Sequence, residues 1–138
     1  LISLKKIKKF HIYVIQQNRS MKKFNRGLLL NIGCKIVHPS YDTIIFHDVD
    51  LLPMDDLKEW YSYHPGEIPI HIAACWMTRY GGSKNYFGGI VSFNRRQFQR
   101  INGFPNNFWG WGGEDDVLHD RCLNHNISIK KIHMGFWY

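Results

Sequence analysis

Strand-like and helix-like segments alternate along this chain of 138 residues, and the alternation limits its fold more than any single motif. Runs rich in β-branched and aromatic residues predict strands, and apolar residues three or four positions apart predict helices. The predicted strands cover residues 10–17, 43–50, 67–77, 86–94 and 127–134. The predicted helices cover residues 2–9, 25–37, 95–102 and 114–126, with a short helix after Pro53. We therefore expect a single α/β domain.

Two segments near the start of the chain carry specific expectations about burial. Residues 10–17 are β-branched and aromatic, which predicts a buried strand. In the predicted helix 25–37, Asn25 can be the N-cap, because its side-chain oxygen can accept a bond from a backbone amide of the first turn. Helical spacing predicts a buried face for this helix that consists of Leu28, Leu29, Ile32 and Ile36.

Charge and cysteine content narrow the class of protein. The formal net charge is +7, and many basic residues fall in the first quarter of the chain. Such a face can attract nucleic acid, anionic lipid or a phosphorylated small molecule, or it can simply be a solvated helix face. A nucleic-acid partner is least favoured, because the aromatic residues lie among acids. No apolar run approaches the roughly 20 residues of a membrane-spanning helix.

The cysteines indicate neither a metal site nor a particular compartment. There are three of them, widely spaced and without a Cys-x-x-Cys pair. This pattern argues against a zinc site. One disulfide is compatible with it, although nothing in the sequence requires an oxidising compartment.

The predicted strand 43–50 ends in two aspartates, Asp48 and Asp50. Ligands of open α/β sheets bind at the carboxyl ends of the strands. Two carboxylates there can hold Mg²⁺ or Mn²⁺, which bridges a diphosphate and neutralises a leaving group. So short a motif also has a structural interpretation as a helix cap or a solvated turn.

The stretch FWGWGGEDDV, residues 108–117, places tryptophans and glycines directly before three carboxylates. Its glycines allow a mobile loop in which Trp111 covers a bound sugar and excludes water. Clustered carboxylates raise the pKa of one member, which suits a general base. Glu114, Asp115 and Asp116 are equally suited to the first turn of a helix, where the helix dipole stabilises them. The two interpretations are compatible.

Four blocks of sequence resemble the β-1,4-galactosyltransferase family, including the xylosylprotein type. They are FNRGLLLNIG (24–33), YDTIIFHDVDLLPMDD (41–56), YFGGIVSFNRRQF (86–98) and INGFPNNFWGWGGEDD (101–116), in the family's order. The resemblance implies an inverting glycosyltransferase with a GT-A, Rossmann-like α/β domain that binds a nucleotide-sugar and Mn²⁺. It implies a nucleotide-binding part in residues 1–56 and an acceptor-binding and catalytic part in residues 86–138.

On the donor side, the resemblance implies roles at matching positions. Phe24 and Arg26 match residues that contact the nucleotide. Tyr86 matches a residue that lines the donor sugar, where tyrosine goes with galactose rather than N-acetylgalactosamine. The other implied donor-side residues are Asp48, the two glycines that allow close approach, Gly88 and Gly89, and the lid tryptophan, Trp111.

On the acceptor and metal side, the resemblance implies that Asp115 is the catalytic base and that Glu114 and Asp116 bind the acceptor. Asp50 matches the direct metal ligand. The family takes further metal ligands from a later His or Met segment that has no convincing match here, and His133 is the substitute that the sequence offers.

The chain also departs from the family's pattern. We find no match to the family's first strand, which ends in a Pro-Phe-Arg-x-Arg type motif, or to its C-terminal segment. Val117 replaces an acid that is common at that position. The lysine expected before Tyr86 has no clear match, although Arg79 and Lys84 are nearby.

The expected function is transfer of galactose from UDP-galactose to a sugar hydroxyl of a glycan or glycoconjugate, in β-1,4 linkage. One alternative is a truncated, non-catalytic relative that binds a nucleotide-sugar or glycan, and another is the same fold with UDP-N-acetylgalactosamine or UDP-glucose. The resemblance implies the Golgi lumen for a eukaryotic-type member and the cytoplasm otherwise.

Overall fold

The computed structural model describes residues 9–19, 23–75 and 85–133. Within them lie, in chain order, α1 (Arg26–Ile36), β1 (Thr43–His47), a 3₁₀-helix (Asp55–Tyr61), β2 (Ile70–His71), β3 (Ile90–Asn94), α2 (Arg95–Arg100), α3 (Glu114–Asn124) and β4 (Lys130–Lys131). Residues 2–8 of the predicted helix 2–9 and residues 78–84 of the glycine-rich segment 78–85 lie outside the described residues. No helix in the described ranges has the length and apolar character needed to cross a bilayer.

The four strands form one mixed sheet in the order β1-β3-β2-β4. Strand β3 is antiparallel to both of its neighbours, and β2 is parallel to β4. The register pairs His47 with Ile90, so the carboxyl end of β1 lies beside the chain that leads into β3. The predicted α/β class is therefore confirmed, and the sheet edge that carries Asp48 and Asp50 lies beside residues 86–89.

Both faces of the sheet are covered. On one face, side chains of α1, α2 and α3 join an aromatic core that includes Phe46, Phe87, Phe93, Phe98 and Phe104. On the other face, Leu57 of the 3₁₀-helix packs with apolar residues of β2 and β3. Strand β3 is one of the two inner strands, contributes to both clusters, and has its first four residues buried.

Helix α1 begins as predicted, but its buried face was predicted wrongly. The Oδ1 atom of Asn25 accepts a hydrogen bond from the amide of Leu28 at 2.9 Å, which confirms the N-cap. Ile32 and Ile36 are exposed, although the spacing assigned them to the core. Leu29 is buried as predicted and Leu28 is half-buried, and the other buried residues of α1 are Gly27 and Cys34.

The segment that packs on α1 explains this rotation of the buried face. Asn31 accepts from the amide of Phe104 at 3.0 Å and donates to its carbonyl oxygen at 2.8 Å. A Cβ atom on Gly27 would lie 2.6 Å from the carbonyl oxygen of Pro105, so only glycine allows this close approach. Apolar spacing could not predict an orientation that a polar clamp and a glycine determine.

The predicted buried strand at residues 10–17 was wrong. This segment has no regular secondary structure, and the side chains of Ile12 and Val14 are 77% and 81% exposed. A run with high strand propensity forms a strand only where another strand supplies hydrogen bonds and packing. None of the four described strands pairs with these residues.

The other predicted strands are correct in place but too long. The segment 43–50 forms a strand only to His47, and among their described residues the segments 67–77 and 127–134 contribute β2 and β4. Strand β3 begins at Ile90 rather than at residue 86, because Gly89 has a φ of +73° and bends the chain before the pairing begins. Extended strands require φ below zero, so this glycine separates the strand from the bend.

Candidate functional site

Three separate segments meet at the carboxyl end of β1. The amide of Asp48 donates to the carbonyl oxygen of Gly89 at 3.0 Å, which joins the end of β1 to the bend at residues 86–89. Gly88 lies against the start of α3 so closely that a Cβ atom there would overlap Oδ2 of Asp115. The Asp-x-Asp turn and the carboxylate cluster therefore border one site, although the sequence separates them widely.

Arg26 connects the two acidic segments. Its Nε and Nη2 atoms lie 2.8 and 2.7 Å from Oδ1 of Asp48, and its Nη1 atom lies 3.4 Å from Oε1 of Glu114. Burial alone lowers the pKa of Arg26, but attraction to Asp48, Glu114 and Asp115 outweighs burial and raises the pKa above its ordinary value. The guanidinium is therefore a permanent positive charge between the acids.

The position of Arg26 in the sequence already indicates that it needs acidic partners. Arg26 is the first residue of α1, where the helix dipole disfavours a positive charge. A cation in that position needs acidic partners to offset the repulsion. Resemblance alone assigned Arg26 to the nucleotide, whereas its contacts are with Asp48 and Glu114.

Asp115 has the electrostatic character expected of a proton acceptor. Burial raises the pKa of Asp115, the negative charge of Glu114 and Asp116 raises it further, and Arg26 opposes this rise. Asp115 is only partly buried, so its carboxylate borders the solvent-accessible side of the site. A carboxylate with a raised pKa binds a proton more readily than an ordinary aspartate does.

The three acids also form the first turn of α3, as the alternative interpretation predicted. The residue before them, Gly113, has a φ of +93° and provides no side-chain cap. Negative charge at this end of the helix is stabilised by the helix dipole. The helix therefore holds Asp115 in place by its backbone, which confirms the helical interpretation, while the role of Asp115 as a base stays a prediction.

The residues before α3 extend Trp111 into solvent, where its side chain is 90% exposed. The amide of Gly110 donates to the carbonyl oxygen of Phe24 at 2.7 Å, which anchors the start of this loop beside an exposed phenylalanine ring. Gly110, Gly112 and Gly113 all have positive φ values. The glycines thus allow a turn that other residues would adopt only with strain.

Tyr86 forms part of the wall at the bend. It is buried, and its ring centroid lies 5.2 Å from that of His71. A Cβ atom on Gly89 would lie 2.9 Å from its hydroxyl oxygen, so Tyr86 borders both glycines of the bend. His71 was not predicted as a site residue, although a histidine within the apolar run IPIHIAA signals a buried polar contact.

His47 supports the turn that carries the two aspartates. Its Nδ1 atom donates to the carbonyl oxygen of Asp48 at 2.7 Å, and its Nε2 atom accepts from the hydroxyl of Tyr61 at 2.8 Å. Burial lowers the pKa of His47, although Asp48 and Asp50 partly oppose this change. The ring is therefore neutral and uses both nitrogens to fix the turn.

The described residues fit a divalent cation in part. Asp50 is exposed, whereas Asp48 is paired with Arg26. Across residues 9–19, 23–75 and 85–133, no three His, Cys, Asp or Glu side chains come together as a metal-binding group, so His133 joins no such group there. One carboxylate can still hold Mg²⁺ or a similar ion when substrate phosphates and water supply the other ligands.

Comparison with known proteins gives consistent similarities along the chain. A family model described as the N-terminal region of glycosyl transferase group 7 matches residues 2–63. A second, described as the N-terminal domain of galactosyltransferase, matches residues 69–136. Rat β-1,4-galactosyltransferase 4 is 43% identical over 129 residues, which are 88% of this chain and 36% of the relative. Mouse β-1,4-galactosyltransferase 1 is 43% identical over 127 residues, which are 88% of this chain and 31% of the relative.

A solved structure shares the fold. It is a mutant of Drosophila β-1,4-galactosyltransferase 7 in complex with manganese, UDP-Gal and xylobiose, with a TM-score of 0.73 and 35% sequence identity. The match covers 83% of this chain and 49% of that chain. The present chain thus spans about a third of the length of the curated relatives named above and about half of this structure.

Proposed function

Because this chain belongs to the β-1,4-galactosyltransferase family and has its GT-A fold, we propose that it forms the central part of an enzyme that transfers galactose from UDP-galactose to a sugar hydroxyl, in β-1,4 linkage and with inversion. The observation that carries the proposal is the meeting of the Asp-x-Asp turn with Asp115 across Gly88 and Gly89. A donor diphosphate at the turn would bring its sugar to this carboxylate.

In the proposed mechanism, Asp115 removes the proton from the acceptor hydroxyl while the hydroxyl oxygen attacks the sugar carbon from the face opposite UDP. Burial and neighbouring acids raise the pKa of Asp115, which makes it a better proton acceptor than an ordinary aspartate. Glu114 and Asp116 would bind hydroxyls of the acceptor. Mn²⁺ held by Asp50 would neutralise charge on the departing diphosphate, and the Drosophila complex with manganese and UDP-Gal supports this assignment.

On the donor side, residues 1–56 would bind the nucleotide and residues 86–138 the sugar and acceptor. Phe24 offers an exposed ring to the nucleotide, and Trp111 offers an exposed indole that can close over the donor. Arg26 would act through Asp48, which it holds at the end of β1. Tyr86, Gly88 and Gly89 would border the galactose.

The alternative is a non-catalytic protein that binds a nucleotide-sugar or a glycan. It is favoured by the lack of a three-ligand metal group among the described residues. Against it stands the raised pKa of Asp115, because a binding protein gains nothing from a carboxylate that is harder to ionise. The relatives named above are animal proteins, which favours the Golgi lumen as the compartment.

The test is an assay of galactose transfer by the protein with whatever sequence naturally flanks residues 1–138. The purified protein is incubated with UDP-galactose, Mn²⁺ and a panel of saccharides that includes xylobiose, and both released UDP and the mass of the product are measured. We expect a galactosylated product. Binding of UDP-galactose without product would favour the non-catalytic alternative.

The base assignment is tested in the same assay. Asp115→Asn should lower the rate by about 10²–10⁴-fold, because an amide cannot take the proton. Asp120→Asn is the matched control, since Asp120 is an exposed acid of the same helix and should be replaceable without loss of rate. Equal rates for both variants would exclude Asp115 as the base.

A further inference from the structure

A buried histidine makes direct contact with the backbone of the candidate site. His71 of β2 is fully buried, and its Nε2 atom lies 2.9 Å from the carbonyl oxygen of Gly88. A carbonyl oxygen only accepts hydrogen bonds, so Nε2 carries the hydrogen. The other ring nitrogen, Nδ1, has no hydrogen-bond partner within the described residues. The single side-chain hydrogen bond that His71 makes within the described residues is therefore the one to Gly88.

The environment keeps this hydrogen bond in one form. Burial lowers the pKa of His71 to about 3, the hydrogen bond to Gly88 opposes this change, and the nearby Lys131, His119 and His133 lower the pKa further. The ring is thus neutral over the whole range in which the enzyme would work. Its position is further fixed by ring contacts with Tyr86 and Phe87, at centroid distances of 5.2 and 5.3 Å.

Gly88 transmits the position of His71 to the carboxylate cluster. The Cα atom of Gly88 packs directly against the carboxylate of Asp115. The next carbonyl, that of Gly89, accepts from the amide of Asp48. Two consecutive carbonyls of the bend are therefore held, one by β2 and one by the end of β1. Of these two bonds, the one from His71 acts on Gly88, which touches Asp115.

From this geometry we infer that His71 is a positioning residue, which holds the Gly88 carbonyl and thereby keeps Asp115 in its reactive place. The inference rests on the proposed function, because it assigns the held carboxylate a role in transfer. If the N–H group of His71 is removed, the buried carbonyl of Gly88 loses this hydrogen bond, and the bend can relax away from Asp115. A displacement of about 1 Å at a catalytic group can lower a rate by about 100-fold.

Three substitutions separate the hydrogen bond from mere burial. His71→Gln keeps a donor near the position of Nε2, His71→Asn has the same amide on a shorter side chain, and His71→Leu has no donor. We expect His71→Gln to retain most of the transfer rate and both other variants to lose about 10- to 100-fold in kcat. If His71→Leu fails to fold, the comparison of the glutamine and asparagine variants decides the question.

A second measurement tests the environment of the Asp115 carboxylate without an activity assay. The carboxyl carbon of Asp115 is titrated by ¹³C NMR in the unsubstituted protein and in His71→Asn. The charged groups that face Asp115 are Glu114 and Asp116 on its own helix and Arg26 from α1, and none of them changes in the variant. When Gly88 no longer packs against Asp115, water should reach the carboxylate, and the pKa of Asp115 should fall. The acid limb of the kcat/KM profile should then move to lower pH. A role in stability alone would move neither.

His119→Leu is the matched control, because His119 is also buried and its ring centroid lies 6.4 Å from that of Phe87. It should lose stability but keep both the titration of Asp115 and kcat. Wild-type-like titration of Asp115 in His71→Asn would overturn the inference. An inactive unsubstituted protein would instead overturn the proposed function, and the NMR titration would still decide whether His71 positions Asp115.

Discussion

At the scale of single residues, the raised pKa that suits Asp115 to its proposed role as a base has a cost in stability. Its folded pKa lies above that of the unfolded chain, because burial and the neighbouring acids disfavour the charged form. A group of this kind stabilises the fold below its unfolded pKa, and that contribution is lost as the pH rises through the folded pKa. At neutral pH the carboxylate is therefore held in the fold against its own preference.

This linkage gives a pH-dependent prediction for the Asp115→Asn variant. The variant should have a higher Tm than the unsubstituted protein at pH 7, and the difference should close as the pH falls below about 3.9, the ordinary value for aspartate. Thermal unfolding between pH 3 and pH 8 measures it, with Asp120→Asn as the control that should show no such trend. A lower Tm for Asp115→Asn at pH 7 would contradict the assigned direction of the pKa shift.

Tyr86 gives a prediction about donor choice. Its buried ring and hydroxyl border Gly88 and Gly89, so Tyr86→Leu should open space where an N-acetyl group of the donor would lie. We expect the ratio of UDP-N-acetylgalactosamine use to UDP-galactose use to rise by about tenfold or more, in line with the size of pocket effects on specificity. Competition between the two donors measures it.

Tyr63→Leu is the control for this experiment, because Tyr63 is exposed and lies outside the bend. Its donor ratio should equal that of the unsubstituted protein. An unchanged ratio in Tyr86→Leu would mean that Tyr86 only packs against His71.

At the scale of elements, the start of α3 depends on a glycine that no other residue can replace without strain. Gly112 and Gly113 both have a φ of +93°, but a Cβ atom on Gly113 would lie 2.5 Å from the ring of Phe108, whereas Gly112 faces open space. Gly112→Ala should cost about 1–2 kcal/mol of stability from the backbone alone. Gly113→Ala should cost clearly more, and denaturant unfolding of the two variants measures the difference. Equal costs would show that Phe108 moves aside.

The carboxyl end of α1 depends on a residue from another helix. Arg95 of α2 donates to the carbonyl oxygens of Cys34, Val37 and His38 at 3.0–3.3 Å. Arg95→Met should lower the free energy of unfolding by about 2 kcal/mol, because a charged donor to carbonyls at and just beyond the end of α1 is lost. Arg96→Met, at the exposed neighbouring position, is the control and should change stability little. Similar losses in both would argue against this cap.

The sequence predicted the helices better than it predicted which distant segments contact one another. Helices α1, α2 and α3 were correctly located, because helical spacing and the N-cap Asn25 are local signals, whereas the strand predicted to run to Asp50 ends at His47. The segment 10–17 was wrong, because a strand requires a partner that local sequence does not specify. Likewise, the Arg26 bridge and the His71 bond join residues far apart in the chain, and no local pattern encodes such pairs.

At the scale of the whole molecule, metal and nucleotide should bind together rather than separately. Within the described residues Asp50 is the exposed carboxylate of the Asp-x-Asp turn, and a cation there needs oxygen ligands from a diphosphate. Calorimetry should therefore show UDP binding that is at least about tenfold tighter with Mn²⁺ than without it. Asp50→Ala should abolish the difference, and Asp56→Ala, at another exposed acid, should preserve it. Equal UDP affinity with and without Mn²⁺ would exclude the metal assignment.

The ion pair between Arg26 and Glu114 also affects when the site can form during synthesis of the chain. The two residues are 88 positions apart, so at about 5–20 residues per second a ribosome needs on the order of 4–18 s to make the second after the first. The hydrogen bond from Asn25 to the carbonyl oxygen of Asn106 likewise joins residues 81 positions apart. Contacts between distant residues are also slow to close once both are available. In a nascent chain, Asp48 is thus available to Arg26 for seconds before Glu114 has been made and the site can form.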